Sequence, residues 1–186
     1  MRRLVIAVTG TPGTGKSVFA RALAKRLGVP LVDLNALIAE KKIYKLDSER
    51  TKIADLSEMR REFVRAIKDT ESVVVEGLLA YLLPKKLLTH VVVLRTEPKI
   101  LKRRLRARKF SEAKTRENVE AEALDIILWE VVDVHGTSNV YEINTTRLKP
   151  DDAVERFLDA VAGKISLKPG GISWLEEYLK LVRKSF

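Results

Sequence analysis

The chain has 186 residues, 46% hydrophobic and 32% charged, with no cysteine and a formal net charge of +10. That length supports one domain with a substantial core, and a chain without cysteine has no disulfide, no thiolate metal ligand and no cysteine-bound zinc in a lid. No apolar run approaches the roughly 18 residues of a membrane span, and Met-Arg-Arg leads straight into a strand pattern with no small-residue cleavage site, so a cytoplasmic protein without a signal peptide is expected.

The first strand pattern is Leu4-Val5-Ile6-Ala7-Val8. It is followed by Gly10-Thr11-Pro12-Gly13-Thr14-Gly15-Lys16-Ser17, which fits G-x-x-x-x-G-K-[ST] at every fixed position. Val18, Phe19, Ala22, Leu23 and Leu27 then mark one face of a helix. This strand–loop–helix context is what makes the motif a phosphate site. Glycines let several N–H groups converge on one oxyanion, and the helix adds its positive end. Lys16 can reach terminal phosphates, and the Ser17 hydroxyl can join the coordination of Mg²⁺. The chain reads as a nucleotide-binding protein.

Further along, Val29 to Val32 reads as a short strand ending at Asp33. Residues 34–55 read as short helical pieces with polar residues, suited to a small flap over a second substrate. Met59, Phe63 and Ile67 mark a helix. Two apolar strands follow, Ser72 to Gly77 and His90 to Leu94; the first ends on Glu76 and the second on Arg95. Residues 97–107 and 115–132 have helical periodicity, with a charged lid between them. A last strand covers Val140 to Ile143, and a helix runs from Pro150 to Ala162. This alternation argues for a three-layer α/β/α fold around a five-stranded parallel sheet. Ligands then sit outside the carboxyl ends of the strands, where Gly10 and Glu76 lie. Residues 164–186 read as an appendage to a domain spanning 1–163. Its helix around Trp174, Leu175, Tyr178, Leu179 and Val182 either docks on the chain's own core or meets a partner.

Phosphoryl transfer needs positioning and charge neutralisation. The catalytic candidates are Lys16, Glu76, Arg104 and Arg108. Glu76 can orient Mg²⁺ through water. Arg104 and Arg108, four apart, can close as a mobile pair over the transferring phosphate and exclude water. Seven basic and no acidic residues lie between Lys99 and Lys109, a cluster able to hold a polyphosphate or RNA. His90 and His135 read as structural or solvent-facing. Glutamine is absent while Lys, Arg and Glu abound, which suits an archaeal or thermophilic source.

The Pro-Gly-x-Gly-Lys form of the loop resembles that of nucleoside monophosphate kinases. Val93-Leu94-Arg95-Thr96, Arg104-Leu105, Arg108, Phe110, Lys114, Glu117-Asn118 and Ala121-Glu122 resemble one group in particular: the small adenylate kinases of the isoenzyme-six type, found in archaea and eukaryotic nuclei. The likeness runs from about residue 3 to residue 162. It implies ATP contacts from Gly13, Thr14, Gly15, Lys16, Ser17 and Val18, with Arg108 as the lid arginine and Thr145 and Thr146 on the adenine side. It further implies a monophosphate-binding segment at 32–55, with Asp33, Leu34 and Arg50 as candidates, and a lid at 107–117. The implied activities are broad-specificity monophosphate kinase and slow ATPase. The implied partners are a platform ribosomal protein of the small subunit, its precursor particle and nearby ribosomal RNA. The chain departs from the group at Glu76-Gly77-Leu78, where an acid-x-His element is usual; the missing histidine bears on the ATPase step. A kinase of another small metabolite and a pure ATPase assembly switch are the alternative readings.

Overall fold

β-branched residues dominate Val5–Thr9, and every residue of this strand, β1, is buried. It lies at the centre of a parallel sheet, paired with β5 (Val73–Glu76) on one side and β6 (His90–Arg95) on the other. β2 (Leu31–Asp33) flanks β5 and β7 (Val140–Asn144) flanks β6, giving the order β2-β5-β1-β6-β7. The computed structural model describes residues 3–46 and 52–183. Arg50, expected in the acceptor segment, lies outside the described residues.

Successive strand residues point to opposite faces, and the two faces have separate cores. Val5, Ala7, Val75 and Val93 pack with Leu34 of α2 (Leu34–Glu40), Phe63 of α3 (Leu56–Ala66) and Val131 of α6 (Ile126–His135). Ile6, Val8, Val92 and Leu94 pack with Phe19 and Leu23 of α1 (Lys16–Leu27) and Phe157 of α7 (Pro150–Val161). The fold is the three-layer α/β/α arrangement expected from the strand and helix alternation. A third, smaller core joins Leu101 and Leu105 of α4 (Pro98–Ala107) to Val119 of α5 (Glu112–Ala123), with Tyr178 and Leu181 of α8 (Leu175–Arg183) packed on it.

Two local expectations are corrected. Among the described residues of 34–55, α2 is the one helix rather than one of a series, and an antiparallel pair follows, β3 (Tyr44–Leu46) with β4 (Lys52–Ala54). Strands of three residues are too short to show a period of two in the sequence. The single helix expected over 115–132 is instead two, broken at Asp125 with φ +57°. The break has a tertiary cause: Asp125 itself and Glu122, three residues before it, both reach the Arg95 guanidinium. His90 and His135 are structural, as expected: His90 stacks near Tyr141 and Phe157, and His135 Nε2 meets the Tyr81 carbonyl at 2.7 Å.

Phe157 sits edge-on to Phe19, His90 and Tyr141 at centroid separations of 6.4, 6.2 and 5.2 Å. Phe157→Ala should cost about 3–5 kcal/mol of unfolding free energy, as for other buried rings. Urea denaturation followed by circular dichroism measures this; a loss under about 1 kcal/mol would mean the ring cluster does not hold α7 to the sheet.

Candidate active site

The Gly10–Ser17 loop follows β1, at the carboxyl end of the sheet. Its glycines are there for steric reasons. A Cβ on Gly10 (φ +137°) would lie 2.5 Å from the Leu94 carbonyl oxygen, and one on Gly13 (φ +94°) 2.8 Å from Leu101 Cδ1. The backbone thus threads between β6 and α4 where no side chain fits. Gly15, with φ +98°, opens α1. Thr14 is buried and turned inward, its hydroxyl donating to the Thr11 carbonyl at 2.9 Å, whereas Ser17 and Val18 are exposed at the helix start.

Lys16 folds back over the loop, donating to the carbonyls of Gly10 at 2.8 Å and Thr11 at 3.2 Å. Burial brings its pKa down to about 8; Glu76 and Glu122 pull it back up, while Arg108 pushes it further down. Arg108 therefore faces the same space. It caps α4 and is exposed, and its guanidinium has no hydrogen-bond or ion-pair partner among the described residues. Glu76 ends β5 beside Val8 of β1 and is 3% exposed, its carboxylate accepting no hydrogen bond and forming no ion pair among the described residues.

Arg104 departs from the mobile pair expected. Its Nη1 donates to Thr96 Oγ1 at 3.2 Å and the Gly13 carbonyl at 3.4 Å, and its Nη2 to the carbonyls of Thr145 at 3.1 Å and Thr146 at 3.4 Å. It ties the loop to the 144–148 turn, and Arg108 alone of the two is uncommitted. Thr145 is also internal, its hydroxyl donating to the Thr14 carbonyl at 2.7 Å, while Thr146 Oγ1 accepts from the Glu97 N–H at 2.9 Å. Gly13, Thr14, Gly15, Val18, Arg104, Arg108 and Thr145 together line a cavity of about 280 Å³.

A second cavity of about 300 Å³ lies between α2, the β3–β4 pair and Leu79; Asn35, Ile38, Tyr44 and Ala54 complete its wall. Asp33 is exposed and caps α2, its carboxylate accepting from the Ala36 N–H at 3.0 Å. Leu34 corrects an expectation: its side chain is fully buried in the core, against Gly77, and is closed to any ligand. Asn35, one residue on, escapes the sequence reading; its Oδ1 lies 3.8 Å from where a Gly77 Cβ would stand. Nothing in the sequence marks it apart from its place after the strand ending at Asp33.

The buried network behind the loop escapes that reading too. Arg95 Nε donates to Glu122 Oε1 at 2.9 Å and Nη1 to Glu142 Oε1 at 2.6 Å, and Nη2 pairs with Asp125. Burial disfavours the Arg95 charge, but Glu122 and Asp125 hold its pKa above the ordinary value. Glu122 Oε2 in turn accepts from the Thr11 hydroxyl at 2.7 Å. Its one signal in the sequence is an arginine directly after four apolar strand residues, Val91-Val92-Val93-Leu94.

Residues 6–125 match the family model described as an AAA domain. A Pyrococcus furiosus protein named "Putative adenylate kinase" is 36% identical over 179 residues, 96% of each chain; one of the same name from Thermococcus kodakarensis is 37% identical over 175 residues, 94% of this chain and 95% of that one. This chain belongs to that archaeal adenylate kinase family. In fold, the family member resembles the solved shikimate kinase of Bacteroides thetaiotaomicron, with TM-score 0.58 at 22% identity over 86% of this chain and 98% of that one.

Glu122→Ala leaves Arg95 Nε, the Thr96 N–H and the Thr11 hydroxyl without their buried acceptor and should cost about 3–5 kcal/mol, read as a fall in urea midpoint; unchanged stability would mean that Glu122 does not hold the Arg95 cluster together. For Lys16, the free protein loses the ammonium as pH rises through about 8, whereas a bound polyphosphate favours the charged form. Affinity for a polyphosphate should therefore be level below that pH and fall above it, by up to about tenfold per unit. Calorimetry in buffers of differing ionisation heat should show net proton uptake near pH 8; no uptake would contradict the shift.

Proposed function

We propose that the protein is a nucleoside monophosphate kinase that moves the terminal phosphoryl group of ATP to AMP. The observation that carries this reading is the meeting, at the carboxyl ends of β1 and β5, of three features. They are the Gly10–Ser17 loop with Lys16, and the Arg108 guanidinium and Glu76 carboxylate, both without a hydrogen-bond or ion-pair partner among the described residues, with the Asn35 cavity beside them. The family relatives' name supports it.

On this reading the N–H groups from Gly13 to Val18 cradle the triphosphate. The adenine lies on the side of Thr145 and Thr146. The 32–55 segment takes the acceptor, and residues 107–117 act as the lid. An oxygen of the acceptor phosphate forms the new bond to the terminal phosphorus as the bond to the bridging oxygen of ADP breaks. The acceptor oxygen is already ionised at neutral pH, so no general base is required. Lys16 and Arg108 stabilise the charge that spreads over the transferring group. Mg²⁺ fits the donor set, because Ser17 offers an exposed hydroxyl and Glu76 a carboxylate that no donor among the described residues occupies. Such hard oxygen donors suit an ion that keeps several waters. Ser17 would bind it directly and Glu76 through water; the ion supplies charge neutralisation at the phosphates.

A second reading rests on the exposed cations Lys99, Arg103, Arg108 and Lys109. It makes the protein an ATPase acting in late maturation of the small ribosomal subunit, with a platform ribosomal protein and ribosomal RNA as partners. Leu78, standing where the resembling group has histidine, weighs against rapid water attack.

Mg-ATP incubated with and without each common monophosphate decides between them, with ADP and free phosphate followed separately. Acceptor-dependent ADP with little free phosphate is expected. Free phosphate independent of acceptor would make the ATPase reading the leading one, and preference for a non-nucleotide acceptor would favour a metabolite kinase. Arg108→Ala should lower kcat on the order of a hundredfold while ATP still binds. Asn35→Ala should raise KM for the monophosphate severalfold, about 1 kcal/mol, with KM for ATP unchanged. Equal effects on both KM values would place Asn35 outside the acceptor site.

A further inference from the structure

A cavity of about 600 Å³ lies between the 144–148 turn, α7 and the segment 166–174, and no residue of the Gly10–Ser17 loop lines it. Its size suits a small organic ligand. Three cations line it, Arg147, Arg156 and Lys168, and none has a hydrogen-bond or ion-pair partner among the described residues. The carboxylate next in sequence to Arg156 is already committed: Glu155 pairs with Arg26 at 2.8 Å. Trp174 lines the cavity too; its indole nitrogen is buried away from the opening, with no acceptor among the described residues.

The remaining polar wall is of a different kind. Glu142 is unavailable, since Arg95 holds one of its oxygens and the Gly171 N–H the other at 2.9 Å. Glu97 has a carboxylate that accepts no hydrogen bond among the described residues, and Ser166 an uncommitted hydroxyl. Donors and positive charge thus exceed acceptors, with one carboxylate left for a ligand hydroxyl.

We propose that this cavity is a second binding site, distinct from the phosphate loop, for a sugar phosphate, free or as the ribose phosphate of a nucleoside monophosphate. The phosphate meets Arg147, Arg156 and Lys168, as cations with several N–H donors are suited to do. A sugar hydroxyl donates to Glu97, and the Trp174 side chain forms part of the wall against which the ligand lies. Occupancy fastens the 144–148 turn to the 166–174 segment. Both are tied to the phosphate loop already, the turn through Thr145 and the segment through Glu142, Arg95, Glu122 and Thr11. Binding in this cavity does not depend on the transfer reaction proposed above.

Trp129 is 68% exposed and is the other of the chain's two tryptophans, so Trp129→Phe leaves Trp174 as sole reporter. Titration of that protein with ribose 5-phosphate, and separately with AMP, should give a saturable change in Trp174 emission. The double change Arg156→Ala/Lys168→Ala, at exposed positions, should weaken it by about tenfold or more, while Lys16→Ala should leave it in place. Tighter binding of AMP assigns the site to nucleotides, and tighter binding of ribose 5-phosphate assigns it to free sugar phosphates. The proposal is overturned if neither ligand gives a saturable change up to about 10 mM, if the signal survives the double change, or if Lys16→Ala abolishes it.

Discussion

A guanidinium taken out of water at the end of a parallel strand is costly unless its donors and its charge are answered within the protein. Arg95, 2% exposed, is answered by Glu122, Asp125 and Glu142, and its Nη2 also donates to the Glu122 carbonyl at 3.0 Å. Three carboxylates around one cation leave a negative excess, which neutral donors share. The Thr96 N–H gives to Glu122 Oε1 at 2.8 Å, the Thr11 hydroxyl to Oε2, and the Gly171 N–H to Glu142. Each of these donors belongs to a different piece of chain. Satisfying one buried charge therefore fixes the phosphate loop, the start of the α4 connection, the break between α5 and α6, and the segment after α7. Burial pushes the Glu142 carboxyl above the ordinary value, and Arg95 and the 170–172 N–H groups offset part of that rise.

The cations at the loop itself obey the same constraint. Lys16 loses solvation by burial and feels Arg108 as a like charge, so in the ligand-free protein its ammonium is only weakly held. Burial likewise lowers the Arg104 pKa, with Arg103 and Arg108 adding to the effect. Arg104 meets this by directing its donors at backbone carbonyls, and its place in the last turn of α4, the negative end of the helix, helps. Arg108 has no such anchor. A polyphosphate thus brings the negative charge that the site lacks. Its binding relieves repulsion already present among Lys16, Arg104 and Arg108.

Much of this is legible in the sequence because local signals and the global fold agree. The strand–loop–helix around Gly10 to Ser17 can be read by spacing alone, and so can the parallel sheet, from apolar runs separated by helical periodicity. What cannot be read is set by tertiary contact. The break at Asp125 interrupts a segment whose periodicity continues through it, because two of its carboxylates are drawn to Arg95. The β3–β4 pair is too short to announce itself. Arg95 reads in sequence as a strand end lacking a carboxylate, yet its role lies in gathering carboxylates from three places outside its own strand. Arg104 and Arg108 look equivalent at four-residue spacing; the Gly13, Thr145 and Thr146 carbonyls, available to only one of them, make the difference.

The position of α8 limits how the 108–111 turn can move. Tyr178 and Leu181 pack on Leu101, Leu105 and Val119, which come from the helices on both sides of that turn. Leu105 and Leu101 also stand where a side chain on Gly13 would be, so α4 is in contact with the phosphate loop along its buried face. A rigid swing of α4 and α5 would have to break the loop contact and carry α8 with it. A local change at residues 108–111 breaks neither. Lys109, at φ +60°, already holds the turn in a conformation that few residues adopt freely. Motion that delivers Arg108 to a bound phosphate is thus centred on the few residues between Ala107 and Glu112, where the proposed 107–117 lid begins, and the first turns of α5 complete that lid without a rigid swing.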